Sequence, residues 1–372
     1  MAWRDSPVHV AQKCAAVLGE RHAQNQESMS PKSAQRFWEN DLDEHIRCCD
    51  TPGMGHGSRK TDGLVMKAVL KACGALIVAH GALWSGPARA DWRDDIGTFR
   101  IGIVAEPGAG NTVPGLAVLT EAFTNALGMK VEFVVARDYA ALIEAQANGR
   151  IEYAIYSATA YATALQRCGC VEPLVAPLDS DGAAGIRSVL LTRDGKLPDL
   201  AAMETHRIAM PPPDSVGGSL LPLAGLAAEH VTIAEDSPFL VHADSVSAAE
   251  KMLFDGQADA LFGWVTATVD GQPLLSEGTQ ARLELAGLSP SAFQVVWTSG
   301  LLRYGPHTVR SDLDPEAKRR LSVFLTNLKS TTPDVYDLLE SKHSGGFLTV
   351  APQDYATAEA IVRLVSTAGG QQ

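Results

Sequence analysis

The chain has 372 residues, of which 46% are hydrophobic and 20% are charged, and its 43 Asp and Glu against 31 Lys and Arg give a net charge of −12. This is the composition of a globular protein that is long enough for two domains. The acidic balance argues against a nucleic-acid-binding protein, which needs a basic surface, and the six Cys are too few for a disulfide-stapled scaffold.

The first 90 residues differ in character from the rest of the chain. Residues 1–65 hold few periodic apolar runs, and we interpret them as a disordered or mis-annotated extension. From Met66 onward, two lysines precede the mostly apolar run ACGALIVAHGALW, and a small-x-small sequence ends at Ala90. This order is typical of a cleavable signal peptide, although a buried amphipathic helix is the alternative interpretation. We therefore expect translation to begin at Met66, residues 66–90 to direct export, and the periplasmic protein to start at Asp91.

The predicted cleavage changes the charge and the cysteine count. Residues 1–90 hold 11 Lys and Arg against 9 Asp and Glu, which leaves 20 basic and 34 acidic side chains, a net charge of −14, in residues 91–372. Four of the six Cys also precede the cut, so only Cys168 and Cys170 remain. A pair of thiols this close together in an oxidising periplasm needs an explanation.

Strand and helix patterns alternate along residues 91–372. Predicted strands cover 99–104, 131–135, 151–156, 171–176, 186–192, 207–210, 258–262 and 293–297. Predicted helices cover 113–127, 138–148, 158–166, 218–230, 245–254, 315–328, 333–339 and 355–365, and Asp138 is a candidate N-cap. This rhythm indicates an α/β fold with helices on both faces of its sheets.

The order of these elements predicts two α/β lobes joined by a hinge. We assign residues 91–192 together with 298–372 to the first lobe and 193–297 to the second, with the strand 293–297 returning the chain to the first lobe. A chain that leaves one lobe and comes back to it is typical of a hinged binding protein. An α/β enzyme remains the alternative on this pattern alone.

Three turns follow or precede predicted strands where open α/β sheets bind ligands. They are the segments 156–159, 214–219 and 241–245, and each offers hydroxyls and backbone N–H groups at the start of a helix. Such groups suit a small oxyanion, whereas simple helix capping is the alternative for any single turn. Three such turns together favour a binding cleft.

Motifs for catalysis are absent from the sequence. No nucleophile elbow, zinc-protease motif, P-loop or dinucleotide fingerprint occurs, so no catalytic residue and no cofactor is predicted. His242 and Asp244 could form an acid–base pair, which keeps an enzyme as a third hypothesis. Cys168 and Cys170 could ligate a thiophilic centre, pair in a strained disulfide, or be ordinary thiols.

Several blocks of the chain together resemble a known family. FRIGIVAEP, KVEFVVARDYAALIEAQANGRIEYAIYSATAYATAL, PPDSVGGSLLP, MLFDGQADALFGW and VVWTSGLL look like periplasmic phosphate-, phosphite- and phosphonate-binding proteins of the PhnD type. The resemblance covers nearly all of 97–365. It implies the type II periplasmic-binding-protein fold, with two lobes that close on an oxyanion. The second-lobe Gly-Ser-His-Asp segment of the family reads LVHADSVSA here, which departs from the pattern.

The resemblance also implies which residues face the ligand. By match to the family's blocks these are Tyr139, Tyr156, Ser157, Thr159, Tyr161, Ser215, Gly217, Gly218 and Ser219.

One branch of this family, the arsenite-sensing AioX branch, carries a Cys-x-Cys where Cys168 and Cys170 stand. This likeness implies that Cys168 is the primary ligand of arsenic and Cys170 a second candidate ligand, and that a membrane sensor histidine kinase is the partner. We therefore expect an arsenite receptor for two-component signalling, with a phosphate, phosphite or phosphonate receptor of an ABC transporter as the alternative. An unbroken helix from Ala158 would, however, carry Cys168 about 15 Å from the end of the preceding strand.

Overall fold

Two mixed sheets with helices between many of their strands make up the computed structural model, which describes residues 91–105, 113–234 and 236–369. The predicted extension 1–65 and signal peptide 66–90 lie outside the described residues. The helices are α1 (Trp92–Ile96), α2 (Leu116–Leu127), α3 (Tyr139–Ala147), α4 (Ala158–Cys168), α5 (Leu221–Ala228), α6 (Val246–Phe254), α7 (Thr279–Leu285), α8 (Pro315–Thr331), α9 (Pro333–Leu339) and α10 (Ala356–Gly369).

The eight predicted strands are all present, and five short strands that the sequence pattern did not predict join them in the described part of the chain. They are β1 (Thr98–Val104), β2 (Lys130–Ala136), β3 (Tyr153–Ile155), β4 (Val171–Pro177), β5 (Gly185–Arg193), β6 (Ile208–Met210), β7 (Leu240–His242), β8 (Ala260–Ala267), β9 (Pro273–Gly278), β10 (Phe293–Thr298), β11 (Leu302–Arg303), β12 (His307–Arg310) and β13 (Phe347–Thr349).

The first sheet has the order β2-β1-β3-β12-β4-β13. β1 runs parallel to both β2 and β3, so the carboxyl ends of these three strands lie at one edge of the sheet. β12 is antiparallel to β3 on one side and to β4 on the other. The sequence pattern missed β12 because it is only four residues long and lies far along the chain from both of its partners.

The second sheet has the order β7-β6-β8-β5-β10, with β9 paired to β8 and β11 to β5. β6 is parallel to β7 and β8, and β5 is antiparallel to β8 along its whole length. These two sheets confirm the predicted fold class, an α/β fold with one sheet for each expected lobe.

Two strands belong to a different sheet than the sequence suggested. The segment 186–192 was assigned to the first lobe, but β5 contains it and pairs in the second sheet. The segment 293–297 was expected to return the chain to the first lobe, but β10 contains it and pairs with β5. The chain instead returns after β11, at residues 304–306. Apolar strands of either sheet look alike in sequence, which is why pairing could not be read from the pattern.

The core of the first sheet follows from the spacing of apolar side chains on its helices. In α2, Leu119, Phe123 and Leu127 recur every four residues and are all buried. Phe123 packs edge-on against Tyr153 of β3 and Phe324 of α8, with ring centroids 5.6 and 5.0 Å apart. This packing holds the first sheet in place, and with it the loops that follow its strands.

A further apolar cluster joins elements of both sheets. It contains Tyr156 just before α4, Tyr161 of α4, Leu221 of α5 and Ala358 of α10, all of them buried. The described residues from Trp92 onward form one compact unit. α4 and α5 therefore share one packed core, and the turns at their N-termini lie on its border.

Candidate ligand-binding site

The first predicted turn lies where β3 ends and α4 begins. Ser157 is the N-cap of α4, and its side-chain oxygen accepts a hydrogen bond from the Ala160 backbone N–H at 3.2 Å. Its hydroxyl also lies 3.5 Å from the hydroxyl of Thr159, which is buried. The other N–H groups of the first helical turn carry the partial positive charge of the helix N-terminus.

Two tyrosines stand beside this turn. The rings of Tyr139 and Tyr156 are 6.3 Å apart. Burial raises the pKa of the Tyr139 phenol, and hydrogen bonding from the backbone and side chain of Ser157 partly offsets that rise. Burial also raises the pKa of Tyr156, and the charge of a Tyr139 phenolate would raise it further. Both hydroxyls therefore stay protonated as hydrogen-bond donors at every physiological pH.

The Tyr156 hydroxyl is the unusual group of this cluster. Among the described residues it is buried and has no hydrogen-bond partner. Leaving a buried hydroxyl unpaired costs about 1–3 kcal/mol, so such groups normally have a partner. A donor that is held dry and unpaired beside a helix N-terminus is suited to an oxygen atom of a ligand.

The second predicted turn connects β6 to α5. Ser215 caps a single π-helical turn, Val216–Leu220, and its side-chain oxygen accepts from the Gly218 N–H at 3.3 Å. The Ser219 hydroxyl is buried and donates to the carbonyl oxygen of Pro211 at 2.8 Å. This turn therefore offers the same kind of serine-capped N–H groups as the turn before α4.

The glycines of the second turn are required by close packing. A Cβ at Gly217 would lie 2.8 Å from side-chain atoms of Trp264, and one at Gly218 would lie 2.4 Å from the ring of Pro211. Both distances are shorter than real Cβ atoms tolerate, so neither position accepts a side chain without movement. The predicted residues Ser215, Gly217, Gly218 and Ser219 thus form one tight turn.

The two turns border the same apolar cluster. Val216 and Leu220 of the second turn pack against the cluster that contains Tyr156 and Ala158 of the first. Two capped turns, one from each sheet, therefore pack against a shared core.

Tyr161, the other tyrosine that the resemblance assigns to the ligand, lies in the first half of α4. Its ring packs against that of Tyr355 with centroids 4.9 Å apart, on the side of α4 that faces α10. Burial raises its pKa, and the carboxylates of Glu359 and Glu172 add to the rise. Tyr161 therefore contributes to the packing of α4 on α10, and its hydroxyl, like that of Tyr156, is buried and has no hydrogen-bond partner among the described residues. Its role in ligand binding stays a prediction.

Cys168 and Cys170 form a disulfide at the opposite end of α4. The helix runs unbroken from Ala158 to Cys168, and its C-cap is Gly169, which has a positive φ of 59°. Ten residues at about 1.5 Å each put the Cys168 backbone about 15 Å from the start of the helix. The sulfurs are thus neither free thiols nor part of the hydroxyl cluster, and the disulfide is one of the alternatives that the sequence left open. Arsenic ligation by Cys168 stays a prediction.

The third predicted turn borders an open cavity of about 740 Å³ at the carboxyl ends of β6 and β7. It is lined by Pro212, Pro213, Asp236, His242, Ala243 and Asp244. Most of these side chains are exposed, including those of His242 and Asp244. Ser245, which follows, caps α6 by accepting from Ala248 N–H at 3.1 Å. The region is a shallow extension of the second turn.

Glu340 was not predicted as a site residue. It ends α9, and its carboxylate accepts from the Lys342 N–H at 3.1 Å. Burial raises its pKa, and its negative charge contributes to the raised pKa of Tyr139. No sequence signal relates these two residues, which are two hundred positions apart.

A sequence model of one family matches the region that contains both turns. Residues 101–355 match the family described as ABC transporter, phosphonate, periplasmic substrate-binding protein. The chain belongs to this family. The PhnD-type resemblance is thereby confirmed, and the family is one of periplasmic substrate-binding receptors. The place of the chain in the arsenite-sensing branch stays a prediction.

Individual relatives are more distant. The phosphate-import protein PhnD of Mycolicibacterium smegmatis is 28% identical over 217 residues, which cover 55% of this chain and 64% of that protein. The chain thus matches less than two thirds of that relative's length.

Solved structures are similar in fold alone. Transferrin 1 from Manduca sexta has 10% identity and a TM-score of 0.51, covering 73% of this chain and 47% of that one. PhnD1 from Prochlorococcus marinus, in complex with methylphosphonate, has 14% identity and a TM-score of 0.40, covering 73% and 98%. In the described residues of this chain, no helix is long and apolar enough to cross a membrane.

Proposed function

We propose that this protein is a periplasmic receptor that binds a small phosphate- or phosphonate-like oxyanion between its two serine-capped turns. The observation that carries the proposal is the buried, unpartnered hydroxyl of Tyr156 beside the N-terminus of α4. Tyr139 and Ser157 add two further hydroxyls next to it. The family match to phosphonate-binding proteins supports the same ligand class.

The chemistry of both turns suits an anion. Ser157 and Ser215 each hold one N–H of a helical first turn, which leaves neighbouring N–H groups to donate to a ligand. Such N–H groups and the helix dipole together favour negative charge. An oxyanion has several acceptor oxygens and can therefore take hydrogen bonds from both turns at once.

Ligand bridging would also explain why the donors are divided between two sheets. An anion that touches both turns binds a closed arrangement more tightly than an open one, and this differential affinity shifts the population toward closure. In this proposal the closed, loaded protein delivers its ligand to the membrane component of an ABC transporter. The protein acts as a receptor with no catalytic step, so incubation with phosphonates should release no product.

Titration calorimetry with phosphate and methylphosphonate tests this proposal. Tyr156→Phe removes only the unpaired hydroxyl, and we expect it to raise Kd about tenfold or more, since a hydrogen bond to a charged ligand is lost. Tyr336→Phe is the matched control, because the Tyr336 hydroxyl donates instead to the His343 carbonyl. An unchanged Kd for Tyr156→Phe, or no binding of either anion by the native protein, would refute the proposal.

Arsenite sensing with a sensor histidine kinase is the second candidate. It is favoured by the two sulfurs of Cys168 and Cys170, which lie within bonding distance of each other at an exposed helix end. Arsenite binds thiolates, so the disulfide must first be reduced by two electrons from a thiol reductant. Arsenite titrated into reduced and oxidised protein separates the candidates. Binding that requires reduction and is lost in Cys168→Ser would support this function.

A further inference from the structure

Trp264 of β8 lies directly beneath the second turn. A Cβ at Gly217 would lie 2.8 Å from its Cβ, Cγ and Cδ1 atoms, so the base of the indole already touches the Gly217 backbone. The Trp264 side chain is only partly buried. The N–H groups of Gly218 and Ser219 already donate to Ser215, so Val216 and Gly217 carry the N–H groups that are left for a ligand. Their orientation depends on the contact between Gly217 and Trp264.

Trp264 is itself held from behind by α7. The guanidinium of Arg282 stacks over the indole at 5.1 Å from the ring centroid. The Trp264 backbone N–H donates to the Thr279 hydroxyl at 3.1 Å. Cation–π stacking and this hydrogen bond fix both the ring and the strand at Trp264.

Arg282 is in turn fixed by a carboxylate of α6. Its Nε and Nη2 atoms donate to both oxygens of Glu250 at 2.6–3.1 Å, and Glu250 is buried. A bidentate pair of this kind restricts both side chains. Contacts therefore run without a gap from Glu250 through Arg282 and Trp264 to Gly217.

We infer that Trp264 is a positioning residue for the oxyanion-binding turn and that the Glu250–Arg282 pair locks its indole in place. The inference rests on the proposed function, because the turn that Trp264 supports carries the N–H groups that would bind the anion. It does not require Trp264 to touch the ligand. Losing the indole should loosen the Val216–Leu220 turn while the rest of the second sheet stays intact.

Two measurements on the same variants test the inference. Amide hydrogen exchange of residues 216–220 in the ligand-free protein reports the turn, and calorimetry with phosphate and methylphosphonate reports binding. Trp264→Ala should speed exchange there and raise Kd, each about tenfold or more. Trp264→Phe keeps the atoms that touch Gly217, so both values should stay within about threefold of the native protein. Arg282→Gln keeps the indole but removes the cation–π contact that holds it, and should raise both the exchange rate and Kd by about threefold.

Trp297→Phe is the matched control. Trp297 belongs to the same sheet but packs on Gly225 of α5, beyond the turn. If it speeds exchange at 216–220 as much as Trp264→Ala does, the effect is general destabilisation and the inference is overturned. Unchanged exchange rates in both Trp264→Ala and Arg282→Gln would also overturn the inference. If Trp264→Ala does not fold, the exchange rates of Arg282→Gln decide alone. If the native protein binds neither anion, the proposed function is wrong. Amide hydrogen exchange at residues 216–220 then still tests whether Trp264 supports the turn.

Discussion

Ser157 and Cys168 lie at opposite ends of one unbroken helix, Ser157 as its N-cap and Cys168 as its last residue. About 15 Å of helix separates the hydroxyl cluster from the disulfide. The two features that suggested a ligand in the sequence are therefore separate in space. An oxyanion bound at the N-terminal end of the helix would therefore not contact either sulfur.

Ser157→Ala should weaken both the helix and ligand binding. Loss of the N-cap costs about 1 kcal/mol, measured as the free energy of unfolding in urea. The variant also removes one hydroxyl from the cluster, so the Kd for phosphate should rise. Asp314→Ala removes the cap of α8, which accepts from the Glu316 N–H at 2.8 Å, and should cost similar stability with no change in Kd. Equal affinities in both variants would contradict a ligand role for Ser157.

Gly217→Ala should raise the Kd for phosphate by about tenfold, because its Cβ would press on Trp264 and displace the turn. The measurement is calorimetry on the folded variant. Gly195→Ala is the control: Gly195 has a φ of +64° and open space around its Cβ position. That substitution should cost about 1–2 kcal/mol of stability, since a Cβ is disfavoured in the left-handed conformation, and leave affinity unchanged. Native affinity in Gly217→Ala would show that the turn does not hold the ligand.

His307 makes stability depend on pH. It is fully buried, its Nδ1 lies 2.5 Å from the Tyr153 hydroxyl, and burial lowers its pKa from 6.5 to about 3. Between these two pH values the unfolded chain binds a proton that the folded protein does not. The contribution of His307 to the free energy of unfolding should therefore be fully present above pH 6.5. It should fall as the pH drops toward 3, by up to about 1.4 kcal/mol per pH unit.

The variant His307→Asn checks this prediction. Its amide oxygen can accept from the Tyr153 hydroxyl but does not titrate, so urea unfolding at pH 7, 6, 5 and 4 should show a flatter dependence. His230→Asn, at an exposed position, serves as the control and should keep the native slope. An unchanged slope in His307→Asn would contradict the assignment.

Local signals in the sequence predicted many of the elements correctly. Apolar strands bounded by turns, and caps such as Asp138, which accepts from the Ala141 N–H at 2.7 Å, depend on residues close together in the chain. The capped turns at Ser157 and Ser215 were found for the same reason. The helix 218–230 was less accurate, since its first turn is a π-turn and α5 begins at Leu221.

Features that depend on distant residues could not be predicted. The pairing of β5 with β8, the insertion of β12 between β3 and β4, and the contact of Trp264 with Gly217 join segments that the sequence gives no means of matching. Tyr161 illustrates the same limit within one helix. It is four residues from Ser157, yet its ring packs on Tyr355 because α10 covers that face of α4.

The most direct test of the central claim compares two variants with one ligand. Calorimetry of methylphosphonate is carried out on the oxidised native protein, on Tyr156→Phe and on the double variant Cys168→Ser with Cys170→Ser. If the oxyanion binds at the hydroxyl cluster, Tyr156→Phe raises Kd about tenfold or more and the double cysteine variant keeps the native Kd. Binding that survives Tyr156→Phe but disappears with the cysteines would contradict the account.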